Sequence, residues 1–431
     1  MNSHAIFGLN PMWLSGIILV IVYIILILEK LNRAVIALFG AMLMIYCGLL
    51  SQAQALEKVD FNTLWLLTGM MMLVNITAKT GAFQYIAIRS AKWVKADPVG
   101  IMLMLAGITA LFSALLDNVT TVLLITPVTL LITEQLNVRA FPYLFATILA
   151  SNIGGTATLI GDPPNIIIGS RAGLDFNTFL VHLGPVVLVL LAAFIALAWL
   201  LWGRRLRYDP QAAQNVMNLD EREAIQNRPL LIKSLVVLGL VLVAFVFHSM
   251  LHLDPAIVAL LGAGALVAWS GLGPSDFLEE VEWGTLVFFM GLFMLVGSLV
   301  RLGVIEALGR WLAGAVGDRT FLAGTVLLFA SGILSAVVDN IPYVATMTPI
   351  VSELAHGPAN QPLWWALALG ADLGGNATAV GASANVVVLG IAARNGHPIS
   401  FWEFTRYGLV VAGATLLLSW LCWAARYFWL V

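Results

Sequence analysis

Apolar positions run unbroken through most of this chain. Residues 11–28, 35–56, 62–78 and 183–203 contain no Asp, Glu, Lys or Arg. At about 1.5 Å per residue, each is long enough for a helix across an apolar core about 30 Å thick. These runs do not alternate apolar with polar residues, as β-barrel strands would. The run 141–170 departs from the pattern because it is too long and has one charge, Asp162. Wound straight, it would reach roughly 45 Å. Gly154 and Gly155 weaken a helix there, and Pro163 and Pro164 remove amide donors, so a break is expected between Gly154 and Pro164. Non-helical backbone at membrane depth is tolerated only where protein or a water-filled cavity satisfies it. The broken helix over 141–171 is therefore a binding-site candidate.

A second departure lies in 99–133 and 320–352, whose only charges are Asp117 and Asp339, each near the middle of its run. Two full crossings need about 40 residues, so each run is expected to form a re-entrant hairpin with Asp-Asn at its tip, over 99–135 and 320–353. The likeness extends to the whole chain. Leu31-Asn-Arg-Ala-Val-Ile-Ala-Leu-Phe-Gly-Ala41 matches Leu253-Asp-Pro-Ala-Ile-Val-Ala-Leu-Leu-Gly-Ala263 at an offset of 222 residues, which also relates Asp117-Asn118 to Asp339-Asn340 and Pro127 to Pro349. After a slip of two, Asn152-Ile-Gly-Gly155 matches Asp372-Leu-Gly-Gly375, Thr158 matches Thr378 and Asn165 matches Asn385. Agreement held this far marks a duplication.

The predicted architecture is an all-α polytopic membrane protein of about ten transmembrane helices plus two re-entrant hairpins. The first repeat covers 1–202, a polar cytoplasmic linker 203–230 and the second repeat 231–431, with its own broken helix at 361–393. Five crossings per repeat, an odd number, give the repeats opposite orientation, the plan of a secondary transporter. Residues 11–28 are read as a first transmembrane helix, for lack of a basic n-region and a small-x-small cleavage site. Segments 82–97 and 304–318 are expected to lie amphipathically at the surface.

Composition sharpens this picture. Of the 431 residues 61% are hydrophobic and 10% charged, against about 25% charged in a soluble domain. Lys30, Arg33, Lys79, Arg89, Lys92, Lys95, Arg139, Arg204, Arg205 and Arg207 fall where positive-inside loops would be. Both termini are then outside and the protein is multi-pass in a cell (inner) membrane, although Arg301, Arg310 and Arg319 run against the trend. The net charge of −2, with no basic stripe, gives no footing for nucleic acid. Cys47 and Cys422, far apart in apolar runs, make neither a disulfide framework nor a thiolate metal site. No metal or cofactor is expected. His182, His248, His252, His356 and His397 are expected to be solvated near helix ends, and Met70, Met71 and Met72 to serve packing.

Asp117, Asp162, Asp339 and Asp372 stand deep in uncharged runs. An ionised Asp at the bilayer centre costs at least about 2.5 kcal/mol, so each should face a cavity, bind a cation or hold a proton. Asn118, Thr120, Asn152, Thr156, Thr158, Asn165, Asn340, Asn376, Thr378, Ser383 and Asn385 add neutral donors and acceptors at the same places. Any single Asp-Asn could equally be a helix cap. Four acids at symmetry-related sites argue against capping as the role of all.

The motifs LLDNVTTVLLITPV at 115–128, NIGGTATLIGDPPN at 152–165, VDNIPYVATMTPI at 338–350 and LGGNATAVGASANV at 373–386 are similar to those of the ion transporter superfamily. Within it the chain resembles the branch of the arsenical pump membrane proteins (ArsB) and the pigmentation-linked P protein. The resemblance spans essentially the whole chain. It implies an elevator-type carrier, a homodimer, and a substrate and coupling site on Asp117, Asn118, Asn152, Asp162, Asn165, Asp339, Asn340, Asp372 and Asn385. Relatives that carry dicarboxylates have Ser-Asn-Thr where this chain has Asp117-Asn118-Val119. Two tip carboxylates would repel a dianion. A neutral trihydroxide needs no desolvated charge, so the leading expectation is proton-coupled efflux of arsenite or antimonite, with Asp117 or Asp339 titrating. The closest rival is a Na⁺/H⁺ antiporter using the same carboxylates. An intramembrane aspartyl protease would need one acid pair and no duplication. A channel would need a continuous pore. No phosphate-binding loop of the G-x-x-x-x-G-K-S/T type is present, so ATP could enter only through a separate ATPase subunit.

Overall fold

The structure is a computed structural model that describes residues 10–28, 31–273, 277–279, 281–316, 319–355, 357 and 361–429. Among them are 20 α-helices and no strand. In the first repeat these are α1 (Pro11–Ile27), α2 (Arg33–Tyr46), the short α3 (Gln52–Glu57), α4 (Phe61–Ala78), α5 (Ala82–Trp93), α6 (Pro98–Leu115), α7 (Asn118–Gln135), α8 (Phe141–Gly155), α9 (Pro163–Ala172) and α10 (Phe176–Ala198). After α11 (Pro210–Met217) the order returns: α12 (Arg228–Leu251), α13 (Pro255–Ser270), α14 (Trp283–Arg301), α15 (Val304–Val316), α16 (Thr320–Ser335), α17 (Asn340–Leu354), α18 (Pro362–Gly374), α19 (Ser383–Arg394) and α20 (Phe401–Ala424).

The caps that start these helices are legible residue by residue. Asn10, Asn32, Asp60, Asp97, Asp175, Asp254 and Ser400 each accept from a backbone N–H of the first turn, and proline follows at α1, α6 and α13. Such a cap satisfies a donor the helix cannot pair itself. Among the described residues, six helices are long and apolar enough to cross alone: Phe61–Ala78, Pro98–Leu115, Phe176–Gly203, Arg228–His248, Trp283–Arg301 and Phe401–Trp429. α1, α2 and α13 are shorter apolar helices, and α8 with α9 and α18 with α19 are half-helices placed in succession either side of a break.

One of those six, Pro98–Leu115, is the first arm of a hairpin, so arm length does not make the hairpin re-entrant. The turn through Leu116 and Asp117 is buried within the protein. The breaks also differ in cause from the expectation. Gly154 and Gly155 stay helical, and the chain unwinds only over 156–162. Their role is close approach. A Cβ on Gly154 would stand 2.2 Å from the Ala110 carbonyl oxygen, and one on Gly374 2.4 Å from that of Gly332, which lets α8 lie on α6 and α18 on α16. The second break, 375–382, has no proline at all. Side chains hold both breaks open instead. Thr158 donates to the Ala114 carbonyl and Thr378 to that of Ala336, each at 2.6 Å. Asn165 donates to Thr158 O at 3.0 Å, and Asn385 to Gly375 O at 2.8 Å and Thr378 O at 2.9 Å.

The repeats interlock. α2 packs on α14 and α13 on α4, while α17 seats on α9 and α19 on α7. Each hairpin thus meets the second half-helix of the other repeat, and the centre is built jointly.

Between the repeats, the stretch 203–230 is a folded strap. α11 and the 3₁₀ turn Glu221–Ala224 pack on α5. Glu221 receives Arg89 at 2.7 Å and Lys92 at 2.5 Å, and Gly81, at φ +81°, passes so close to the Ala224 carbonyl that no side chain fits. The histidines depart from the expectation of simple solvation. His182 lies in α10, stacked on Trp365 at 4.7 Å and hydrogen-bonded to the Tyr427 hydroxyl, and His248 is buried. His252 is exposed and His397 lies 3.7 Å from Glu134. His356 lies outside the described residues, as do 317 and 318 of the expected surface segment. Met70 and Met71 are buried in the core.

Candidate functional site

The two hairpin turns set the outer edge of the centre. Asp117 is the N-cap of α7, accepting from Thr120 N at 2.8 Å and from the Thr120 hydroxyl at 2.5 Å. Asp339 caps α17, accepting from Ile341 N at 3.0 Å, and also from the Ser383 hydroxyl at 2.6 Å. Arg33, the first residue of α2, reaches the second turn: its guanidinium lies 3.8 Å from Asp339 and donates to Ser383 and Thr285. The repeats part company here, because the residue matching Arg33 is Pro255. A cavity of about 260 Å³ opens beside Arg33, Asp339 and Ser383, walled by Leu26, Phe288 and Pro342.

Further in, the two tips converge. Asn118 donates to Asp162 at 3.0 Å and to Asn152 at 3.3 Å, and Asn340 donates to Asp162 at 3.3 Å. Asp162, the N-cap residue of α9, is 1% exposed and is held by amides from both repeats. Asn152 continues the chain, donating to Asn376 at 2.9 Å and Asn385 at 3.0 Å. Charge is concentrated here: Asp162 lies in electrostatic reach of Asp372, Asp339 and Asp117.

Asp372 is different. It is 0% exposed and neither carboxylate oxygen has a hydrogen-bond partner. Thr156 and Asn165 are its polar neighbours, but the Thr156 hydroxyl donates to Asn152 O at 2.9 Å and the Asn165 amide serves the loop carbonyls of Gly155, Thr156 and Thr158.

The expected site residues therefore divide. Asn118, Asn152, Asp162, Asn340, Asn376 and Asn385 form one amide and carboxylate network, with Thr156 and Asp372 beside it. Asp117 with Thr120, and Asp339 with Ser383, sit at the caps. Thr158, Thr378 and Asn165 spend their hydrogen bonds on backbone. Two charged neighbours escaped the sequence reading. Arg33 reads in the sequence as a loop cation, although the repeat comparison marks it through its proline counterpart. Glu282, beside Thr285 at 2.9 Å and in electrostatic reach of Asp117 and Arg33, stands in a charged turn where pattern does not single it out.

A family model described as citrate transporter matches residues 23–370. An uncharacterized transporter of Mycobacterium tuberculosis (strain H37Rv) is 51% identical over 95% of this chain and 96% of its own length. A 46 kDa membrane protein of Mycobacterium leprae is 48% identical over 96% and 97%. The P protein of Sus scrofa is 35% identical over 92% of this chain, which spans 57% of that longer protein. The fold is shared with the YdaH transporter of Alcanivorax borkumensis, at a TM-score of 0.60 over 97% of this chain and 98% of that one, with 12% sequence identity. With one family model running from the first helix into the last broken one and transporters aligning from end to end, the chain belongs to the citrate transporter family of the ion transporter superfamily and is a multi-pass membrane transporter.

Proposed function

We propose that this transporter is a proton-coupled carrier of a neutral, hydroxyl-bearing oxyacid, arsenite or antimonite, moved outward across the inner membrane by a homodimer whose termini lie outside. The observation that carries the reading is the meeting of both tip amides, Asn118 and Asn340, on Asp162. A solute entering between the tips meets donors and acceptors from both repeats, and a trihydroxide can exchange hydrogen bonds with them without bringing charge. A polyanion would meet the carboxylates of Asp117, Asp162 and Asp339. Two like charges 4 Å apart repel by about 4 kcal/mol at an effective dielectric of about 20.

A second reading, citrate, is favoured by the description of the matching family model and by Arg33 with Ser383 beside the cavity. A guanidinium is well suited to a carboxylate. Na⁺/H⁺ exchange on the same carboxylates is the remaining rival.

The test is flux into inside-out proteoliposomes under an imposed pH gradient, with arsenite, citrate and Na⁺ supplied in turn. Arsenite accumulation driven by internal acid supports the proposal. Citrate accumulation, lost in Arg33→Gln, transfers the function to the second reading. Proton release on adding Na⁺, with neither solute moving, transfers it to cation exchange. A separate ATPase subunit would be recognised by ATP-dependent flux that survives collapse of the gradient.

A further inference from the structure

We infer that Asp372, not the hairpin-tip acids, holds the exchangeable proton of this carrier, with Asp162 as the carboxylate it is exchanged against. The inference rests on the transporter reading above but not on the identity of the solute.

The two repeats show why. At equivalent positions of the two broken helices stand Asn152 and Asp372. Asn152 is neutral and fully engaged with Asn118, Asn376 and Asn385. Asp372 is an acid, wholly enclosed, and receives nothing. A buried unpaired carboxylate costs several kcal/mol, whereas a protonated one carries a donor of its own. The surroundings favour the acid form. The Thr156 hydroxyl gives its proton to the Asn152 carbonyl and keeps lone pairs free. A protonated Asp372 is the group beside it that can use them.

Charged neighbours do not offset the cost. Of the helices packed against α18, α16 carries no titratable side chain and α8 carries Tyr143, bonded to Pro98 O. α17 brings Asp339, Tyr343 and Glu353; α20 brings Glu403, Arg406 and Tyr407 in its first two turns and Cys422 in its last, with Arg426 and Tyr427 beyond its end; α9 brings Asp162 and Arg171. From α10, His182 stacks on Trp365. Asp162 is the one in electrostatic reach of Asp372, and it repels. Two buried carboxylates so placed do not both ionise. Hydrogen bonds separate them: Asp162 accepts amide N–H groups from Asn118 and Asn340, which favour its anion against the repulsion of Asp117 and Asp339, and neither oxygen of Asp372 has a hydrogen-bond partner. The step is a simple one. Asp372–COOH gives its proton to water on the side it faces when the tips part, becomes the carboxylate while solute covers Asp162, and takes a proton back from water on the other side.

The experiment is infrared spectroscopy of the purified protein in nanodiscs at neutral pH, run alongside flux in proteoliposomes. The expected result is the carbonyl stretch of a protonated carboxyl, absent in Asp372→Asn and retained in Asp162→Asn. Asp372→Glu keeps the acid and shifts the band, which protects the test should the amide variant fold poorly. One coupled proton gives about tenfold accumulation per unit of pH difference, and in Asp372→Asn this response should fall to none for arsenite or citrate, whichever the wild type carries. A band that persists in Asp372→Asn and vanishes in Asp162→Asn or Asp117→Asn overturns the assignment. If the wild type moves neither solute yet the band follows Asp372, the assignment stands and the proposed substrates fall.

Discussion

At the scale of single residues, the four intramembrane acids that look alike in sequence have three different employments. Asp117 and Asp339 cap helices, Asp162 gathers amides from both tips, and Asp372 is left alone. Asn is about as good an N-cap as Asp, so Asp117→Asn is expected to keep fold and most proton-driven flux. Asp117→Ala should lose about 1 kcal/mol of stability, read as a lowered denaturation midpoint in detergent. Arg33 makes a sharper case. It ties α2 to the second hairpin through Asp339 and Ser383, and no equivalent tie exists at Pro255. Arg33→Gln is expected to loosen that hairpin, measured as faster thiol labelling of a cysteine placed at Val338, which lines the cavity. Unchanged labelling would show that the tie does not restrain the turn. The sequence pattern shows four acids alike within uncharged runs and has no means of ranking them. Their donors sit as far as 178 residues away, as Asn340 does from Asp162.

At the scale of elements, the broken helices depend on side-chain stitches more than on prolines. The loop 375–382 opens without one, so Thr378→Val should cost about 1 kcal/mol by orphaning the Ala336 carbonyl, and Thr158→Val a similar amount at Ala114. Thermal unfolding of the two variants checks whether the symmetry of geometry is also one of energy. Gly154→Ala is expected to be worse, about 1–3 kcal/mol, because its methyl meets the backbone of α6 rather than a yielding side chain. These glycines could be read from the sequence as special, but their reason could not: close approach of two helices is invisible in a local pattern. The strap between the repeats offers a pH test. Hydrogen bonding by Lys92, with Arg89, holds the Glu221 carboxyl down at about 2, below the usual 4.5. A carboxyl lowered on folding stabilises above its unfolded value and stops doing so as pH falls. Docking of the strap on α5 should therefore loosen between about pH 4.5 and 2, seen as falling protection of the amides over 210–224 once the intrinsic pH dependence of exchange is divided out, and Glu221→Gln should make that protection independent of pH in the same window. The polar composition of 203–230 marks it as outside the apolar core, yet its folding against α5 depends on partners more than a hundred residues upstream, and no local periodicity carries that.

At the scale of the whole molecule, two repeats that exchange contacts across a shared centre make each half incomplete alone. α17 on α9 and α19 on α7 mean that moving one hairpin must disturb the other repeat's half-helix, the coupling an alternating carrier needs. Expressed separately, 1–202 is expected to lack the Asn340 contribution to Asp162 and to carry no solute, whereas co-expression with 203–431 should restore flux; flux from either half alone would break this reading. By itself the sequence determined the apolar run lengths, the duplication, the two breaks and the four acids in otherwise uncharged runs. Those are properties of composition and spacing, which the bilayer reads directly through the cost of burying charge and unpaired backbone. Tertiary structure alone decided that the glycines serve helix contact, that Arg33 guards one tip and not the other, and that Asp372 stands unpaired beside a fully paired Asn152. Such distinctions arise from which donors a distant segment brings within about 3 Å, and hydrogen-bond energy falls off too steeply with distance and angle for spacing along the chain to reveal it.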